Sequence, residues 1–335
     1  MIETALSVLV TGAGGLVGRQ VVRRLAVQRD EIGRIVAMDL RPIVESERQP
    51  GVEYCTGDIR DPDLDKLFQR YAVDTVVHLA AVVTPGKNSS RQLEYEIDVL
   101  GTKNVLEACV ATGVRRIVYT SSGAAYGYHA DNPALLGETD PLRGNEEFAY
   151  AHHKRLAEEM LACYRTEHPE LAQLIFRPGT ILGETVHNPI TDMLTRPLIV
   201  GVAGSEAPFV LIWDEDAARC IVQGIREGRS GVYNLTGDGA ISLREIARRI
   251  GKPYVALPAA LLGALLWLLR AFGLSSRGPE QVNFLRYRPV LSNQRLKSEL
   301  GFIPTYTSEQ CFEHYRRLRF PEQDAGRARS RQPKA

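Results

Sequence analysis

In this 335-residue chain the pair whose types and spacing first suggest chemistry is Tyr150 and Lys154. Four residues apart on a helical stretch, they share one face. A phenol with a pKa of about 10 is a poor base at neutral pH. An ammonium held beside it favours the phenolate and lowers that value, so the pair reads as a device for moving a proton to or from a substrate hydroxyl. The bland alternative is an ordinary exposed helix pair. Upstream, the run Ser121-Ser122-Gly123-Ala124-Ala125-Tyr126-Gly127 follows a β-rich segment, with Ser122 four residues before Tyr126.

A second pattern lies at the start of the chain, in Leu9-Val10-Thr11-Gly12-Ala13-Gly14-Gly15-Leu16-Val17-Gly18. It leaves an expected strand and opens an expected helix, the setting in which spaced glycines bind a dinucleotide. Gly12 permits the tight turn, Gly15 lets a pyrophosphate approach the backbone, and Gly18 lets the helix pack close to the sheet. The helix N-terminus then offers free N–H groups and partial positive charge to phosphate. At the end of the next strand, Asp39 can accept from both adenosine ribose hydroxyls and would repel a 2′-phosphate, which favours NAD over NADP. Arg41, just past Leu40, is close enough to blur that preference. Asp58 could face the adenine amino group with Ile59 on the ring, or be a helix N-terminal acid. In His78-Leu79-Ala80-Ala81 small residues let backbone pass near the cofactor, and His78 reads equally as a buried structural histidine. With a nicotinamide in place, Tyr150 takes a proton while hydride leaves for that ring, or the reverse, and Lys154 holds the nicotinamide ribose.

The elements that must position these groups alternate. Strands are expected at Ser7–Thr11, Arg34–Asp39, Val52–Thr56, Thr75–Leu79, Arg116–Thr120 and Leu174–Arg177, apolar on both faces as buried parallel strands are. Helices are expected at Val17–Gln28, Asp63–Tyr71, Leu93–Thr112 and Tyr150–His168. This implies an α/β fold, a Rossmann-type doubly wound parallel sheet, followed by a smaller C-terminal α/β substrate lobe. The expected division is 1–180 for the NAD(P)-binding domain, 181–320 for the lobe interleaved with the end of the sheet, and 321–335 for a disordered basic tail. In the second half a helix is expected near Asp216–Gly228, a strand at Gly231–Leu235, and a capping box from Ser242 to Glu245.

Taken in order, Gly12–Gly15–Gly18, Asp58, His78-Leu79-Ala80-Ala81, the Ser121–Gly127 run and Tyr150-Ala151-His152-His153-Lys154 resemble the NAD-dependent epimerase/dehydratase family. That family is the extended branch of the short-chain dehydrogenase/reductases, and the likeness spans about residues 5 to 320. One such motif could arise by chance; five in sequence could hardly do so. The resemblance implies catalysis by Ser122, Tyr150 and Lys154, with Ser122 orienting the substrate oxygen and sharing its proton, and Ser121 as runner-up. It implies cofactor contacts at Gly12, Gly14, Gly15, Leu16, Val17, Gly18, Asp39, Leu40, Arg41, Asp58, Ile59, Leu79, Ala80, Ala81, Thr120, Ser121, Tyr150, Lys154, Arg177, Pro178, Gly179 and Thr180. Substrate contacts are implied at Val83, Ser122, Gly123, Ala124, Tyr150 and Thr180. One departure is Asp98, where the family usually has asparagine; an ionised carboxylate accepts but does not donate, which favours a structural role.

The same resemblance narrows the reaction. Gly123-Ala124 follows Ser122 where dehydratases carry an Asp-Glu pair, so dehydration is not expected. Thr180-Ile181-Leu182-Gly183-Glu184 replaces the Asn-Val-Tyr-Gly-Pro-like run of sugar-nucleotide enzymes. Asp216, in Trp213-Asp214-Glu215-Asp216, is expected to cap a helix. The leading reading is a dehydrogenase or reductase acting on a secondary alcohol or ketone, with the apolar run Pro258 to Leu269 favouring an apolar substrate. The alternative is a sugar-nucleotide epimerase that keeps its NAD, for which Arg286 and Arg288 are candidate diphosphate cations outside the expected Arg-Gly-Asp context. The non-enzyme alternative is an NAD(P)-binding sensor, which usually loses the tyrosine or lysine kept here.

Bulk properties exclude other classes. A formal net charge of +1 gives no global field for nucleic acid. Five cysteines far apart show no metal-ligand spacing and fit reduced thiols in a cytoplasm, and no metal is expected. The start lacks a basic signal-peptide region. Val255 to Leu269 is nearly all apolar but shorter than the roughly 20 residues a membrane span needs. It reads as a buried or pocket-covering helix, with peripheral membrane contact as the alternative. By resemblance, the helices Leu93–Thr112 and Tyr150–His168 pair with their copies in a homodimer, with Leu156, Met160 and Leu161 available for contact.

Overall fold

The computed structural model describes residues 5–84, 86, 89–274 and 278–321, so the expected basic tail lies, from 322 on, outside the described residues. The strands are β1 (Leu6–Thr11), β2 (Ile32–Asp39), β3 (Glu53–Thr56), β4 (Thr75–His78), β5 (Arg116–Thr120), β6 (Ala172–Pro178), β7 (Thr180–Leu182), β8 (Ile199–Val202), β9 (Pro208–Phe209), β10 (Leu211–Trp213), β11 (Gly231–Leu235), β12 (Ile241–Ser242) and β13 (Tyr254–Leu257). The helices are α1 (Leu16–Val27), α2 (Leu64–Arg70), α3 (Arg91–Tyr95), α4 (Thr102–Thr112), α5 (Ala149–Glu167), α6 (Pro189–Thr195), α7 (Asp214–Arg226), α8 (Leu243–Arg249), α9 (Ala259–Ala271), α10 (Gln281–Arg286), α11 (Gln294–Ser298) and α12 (Ser308–Arg319).

Seven strands form one sheet in the order β11-β6-β5-β4-β1-β2-β3, each pair parallel. The order reverses between β1 and β4, and the crevice at the carboxyl ends of the strands there is where this doubly wound fold binds ligands. Side-chain alternation divides the core in two. Val8, Val10, Ile35 and Phe176 meet Val21 and Leu25 of α1 and Ala218 and Ile221 of α7. Leu9, Val36, Val76 and Ile117 meet Phe68 of α2, Val105 of α4 and Leu161 of α5. Leu9 and Phe176 are fully buried, so truncating either to alanine should cost about 2–5 kcal/mol. Leu161 therefore faces the sheet, and of the three residues expected at a dimer face only Leu156 and Met160 remain partly exposed.

The lobe is made of short pairings: β7 with β10 and β8 with β13 are parallel, β9 with β12 antiparallel. They surround a core that includes Phe209, Leu211, Trp213, Ile246, Phe312 and Tyr315.

Four expectations change. The stretch read as one helix from Leu93 is α3, then a π-helical turn Glu96–Gly101, then α4; π turns interrupt helices where a side chain must be re-aimed. Ser242 does accept from the Glu245 amide at 3.1 Å, but the Glu245 carboxylate turns to Arg248 and Arg249 instead of closing the box. Asp216 lies inside α7 and does not cap it; its carboxylate accepts from the Thr305 amide at 2.6 Å and hydroxyl at 2.7 Å, tying α7 to the C-terminal segment. Finally, Val255–Leu269 is β13 followed by most of α9, and in α9 only Leu262 is buried. A run apolar all round matches a buried helix by composition, yet here it has a neighbour on one side only.

Candidate active site

The glycine turn is dictated by close approaches. Gly12 has φ +68°, and a Cβ there would sit 2.7 Å from the Ala80 amide nitrogen. A Cβ on Gly18 would collide with the Gly12 carbonyl oxygen. At Gly15 an added Cβ meets only that same oxygen, at 3.1 Å. Gly15 is the N-cap of α1, makes no side-chain cap, and no acid stands in the first turn. The first amides of α1, at Leu16, Val17 and Gly18, thus present donors and positive potential without a competing carboxylate, which fits a pyrophosphate.

Asp39, at the end of β2, accepts from the Gly14 amide at 2.9 Å and the Arg41 amide at 3.1 Å. That holds its carboxylate beside the glycine turn, where a ribose diol would lie. Leu40 and Arg41 are exposed. Asp58 is paired with Arg60 at 2.6 Å, and that bond holds its carboxyl below the usual range. Ile59 is 5% exposed and packs with Leu64 and Phe68. The Leu79 amide donates to the Thr11 carbonyl at 3.2 Å, bringing Leu79, Ala80 and Ala81 against the turn.

Below them, His78 bridges Thr11 Oγ1 at 2.8 Å and Thr102 Oγ1 at 3.0 Å. Burial first, then the Lys154 charge, drives its pKa down to about 3, so it is a neutral structural link. Asp98, on the π turn, accepts from the Val82 amide at 2.8 Å and faces His153 Nδ1 at 3.4 Å. Val82 needs only an acceptor there, which is why aspartate serves.

Ser122 caps the short 3₁₀ turn after β5, its hydroxyl accepting from the Ala124 amide at 3.1 Å. Tyr150, in the first turn of α5, packs against Ala124 of that turn. Lys154 is 4% exposed; its Nζ donates to the Thr120 carbonyl at 2.8 Å and the Tyr119 hydroxyl at 3.2 Å. It lies 5.9 Å from the Tyr150 ring centre. Burial pushes the Tyr150 phenol up to about 12, with Ser122 alone pulling it back, while burial brings Lys154 down to about 8. The ammonium turns to β5 and lends the phenolate too little to outweigh desolvation. The Thr120 hydroxyl is buried without a partner, an orphaned group at the edge where a nicotinamide ribose would sit. Ser121 points elsewhere: 1% exposed, it donates to Glu158 at 2.5 Å.

Arg177 is not brought to the cleft. It forms a buried fork with Glu158 at 2.6 Å and reaches the Tyr126 hydroxyl at 2.8 Å, bracing β6 against α5. Pro178 ends β6, and the Gly179 amide donates to Leu235 at 3.0 Å, carrying the chain toward Thr180. Gly123 and Ala124 are buried behind Ser122, and Val83 is 51% exposed.

Four aromatics that sequence reading passed over, and one arginine that it named, complete the cleft. Tyr128, Phe148, Phe284 and Tyr287 cluster with Tyr150 and Ala124 as an aromatic wall. Arg288, a candidate diphosphate cation outside the expected sequence context, lies 3.9 Å over the Phe209 ring and 4.7 Å over Phe284, with Nη2 at 3.3 Å from Thr180 Oγ1. Its Nε and Nη1 are buried with no partner, and burial lowers its pKa to about 10. The signal for the wall was weak, since its aromatics come from segments distant in sequence. Among the described residues no group of His, Cys, Asp or Glu could hold a metal ion.

The model of the NAD dependent epimerase/dehydratase family matches residues 8–234. The uncharacterized protein Rv0501 of Mycobacterium tuberculosis is 30% identical over 315 residues, covering 93% of this chain and 84% of that protein. A UDP-glucose 4-epimerase of Halalkalibacterium halodurans is 26% identical over 272 residues, 72% of this chain and 78% of its own. Among solved structures, the UDP-glucose 4-epimerase of Thermus thermophilus, in complex with NAD, superposes with a TM-score of 0.70 at 23% identity, over 93% of this chain and 99% of that one. The chain therefore belongs to the NAD-dependent epimerase/dehydratase family, within the extended short-chain dehydrogenase/reductases, and NAD is its cofactor.

Proposed function

We propose that the protein is an oxidoreductase that moves a hydride between NAD and a secondary alcohol or ketone carbon, with Tyr150 as acid/base. The observation that carries this reading is the packing of Tyr150 with Ala124, just after Ser122, at the carboxyl edge of the sheet that also holds the glycine turn. NAD, when bound, takes up or returns the hydride. Ser122 holds the substrate oxygen beside the Tyr150 hydroxyl, which accepts or returns the proton. Lys154, anchored on the Thr120 carbonyl, keeps a positive charge behind that exchange and is placed to hold the nicotinamide ribose. Asp39 beside Gly14 supports NAD over NADP.

Tyr150→Phe tests this. The variant should retain NAD binding and lose roughly 10²- to 10⁴-fold in turnover. Unchanged activity in cells would favour an NAD(P)-binding sensor instead.

Arg288 favours a second reading, a UDP-sugar 4-epimerase that keeps its NAD. A buried guanidinium with two unpartnered nitrogens suits a diphosphate, and UDP-glucose 4-epimerases are among the relatives and neighbours. Purified protein that carries NAD and interconverts UDP-sugars without net reduction supports the epimerase. Consumption of added cofactor with apolar ketones or alcohols supports the dehydrogenase. We further read residues 1–180 as the cofactor domain and 181–320 as the substrate lobe of a cytoplasmic homodimer, a reading that its five free cysteines support for location.

A further inference from the structure

Helix α9 is the one place where the described surface breaks the rule that a helix buries its apolar side. Its sequence, AALLGALLWLLRA, holds a single charge. Leu262 is 5% exposed and packs, with Leu266, on Val282 and Leu285 of α10. The opposite side is bare: Leu261 is 56% exposed, Leu265 43%, Trp267 59% and Leu268 45%, and Phe272 and Leu274 just beyond are 75% each. At 100° per residue these positions, with Ala260, Ala264 and Ala271, cover about half the cylinder without one polar side chain. Exposed contiguous apolar surface of this kind marks an interaction site.

The charge around it selects the partner. Between Glu245 and Leu274 the sequence contains no acid and four cations: Arg248, Arg249, Lys252 and Arg270. Arg248 and Arg249 are paired with Glu245. Arg270 is 59% exposed and reaches Glu280 only at 3.6 Å. Lys252 rests on the carbonyls of Leu194 and Arg196, which leave its charge uncompensated. A second copy of this face would bring cation against cation, whereas anionic headgroups complement it. Thirteen residues rise about 20 Å, short of the roughly 30 Å hydrocarbon core. Among the described residues no helix is long and apolar enough to cross a membrane. A tryptophan at the boundary and flanking cations suit a helix lying in the plane of the interface.

We propose that α9 docks on an anionic lipid surface, with Leu261, Leu265, Trp267 and Leu268 sunk to the headgroup–acyl boundary. The helix behind it, α10, carries Phe284 of the aromatic wall, so the lipid surface lies one helix from the cleft.

Trp267 is its own reporter. The other tryptophan, Trp213, is 7% exposed and does not change environment on docking. The full chain should sediment with sucrose-loaded vesicles of mixed phosphatidylcholine and phosphatidylglycerol, and its tryptophan emission should shift to the blue. Pure phosphatidylcholine should bind it more weakly. The double variant L265D/L268D, placed on exposed positions, should lower vesicle partitioning by about tenfold or more while leaving NAD binding unchanged. No sedimentation with anionic vesicles, or equal binding to neutral ones, overturns the proposal. So does a dimer in vesicle-free buffer that the double variant dissociates, since a second copy then covers α9.

Discussion

Lys154 and Tyr150 share a helix face, yet the ammonium stands 5.9 Å from the ring centre and donates to the Thr120 carbonyl at 2.8 Å. The lysine is held by the sheet, while the phenol packs among Tyr128, Phe148 and Ala124. Each is therefore governed mainly by its own burial. The charge on Lys154 is a cost to folding. Its pKa falls from 10.5 unfolded to about 8 folded, so the unfolded chain binds more protons between those values and the Lys154 contribution to stability rises with pH there. In urea unfolding, the stability difference between the native chain and Lys154→Met should move by about 2 kcal/mol in favour of the native chain from pH 8 to 10. A difference that stays constant over that range would refute the assignment.

Ser122 and Ser121 are adjacent but face different worlds. The Ser122 hydroxyl lowers the Tyr150 pKa, while Ser121 is hydrogen-bonded to Glu158. Ser122→Ala should cut turnover by about 10²-fold and move the limb of the pH–rate profile assigned to Tyr150 toward higher pH. Ser121→Ala should leave that limb where it is and act on stability.

His78 is a base kept neutral by burial, its pKa taken from 6.5 down to about 3. The unfolded chain takes up the proton first, so the stabilisation is complete above pH 6.5 and is lost as pH falls toward 3. From pH 6.5 to 5 the loss should be about 2 kcal/mol, readable by urea titration. His78→Asn should shrink this acid sensitivity at some cost in stability at pH 7.

The three glycines separate packing from binding. Gly18→Ala meets the Gly12 carbonyl, so it should destabilise the fold with or without NAD. Gly15→Ala meets only one oxygen at 3.1 Å, so it should fold and show a weakened thermal shift with NAD. Equal melting temperatures for the two variants without NAD would contradict this division.

Local pattern was enough for the frame. Runs such as Arg116–Thr120, apolar on both faces between helical periods, are parallel strands whatever surrounds them, and β5 occupies that span. The placement of Gly12 and Gly18 against their neighbours was equally legible, because a missing Cβ has one steric meaning. Tyr150 and Ser122 could be named because the family pattern quotes them. Bringing Tyr150 against the turn that Ser122 caps required α5 to pack beside the end of β5, which no local signal encodes.

What remained hidden depended on partners distant in sequence. Tyr150 keeps a high pKa because burial outweighs a charge that β5 has drawn away. Arg177 left the cleft because Glu158, nineteen residues earlier, claimed its guanidinium. Arg288 acquired its place between Phe209 and Phe284 only when the lobe closed over it. For α9 composition alone suggested burial, but whether an apolar helix is covered is settled by what packs against it, and α10 covers one side. Periodicity and sterics act within a few residues and so can be read along the chain. Desolvation, charge pairing and exposure are set by whichever groups the folded chain brings near.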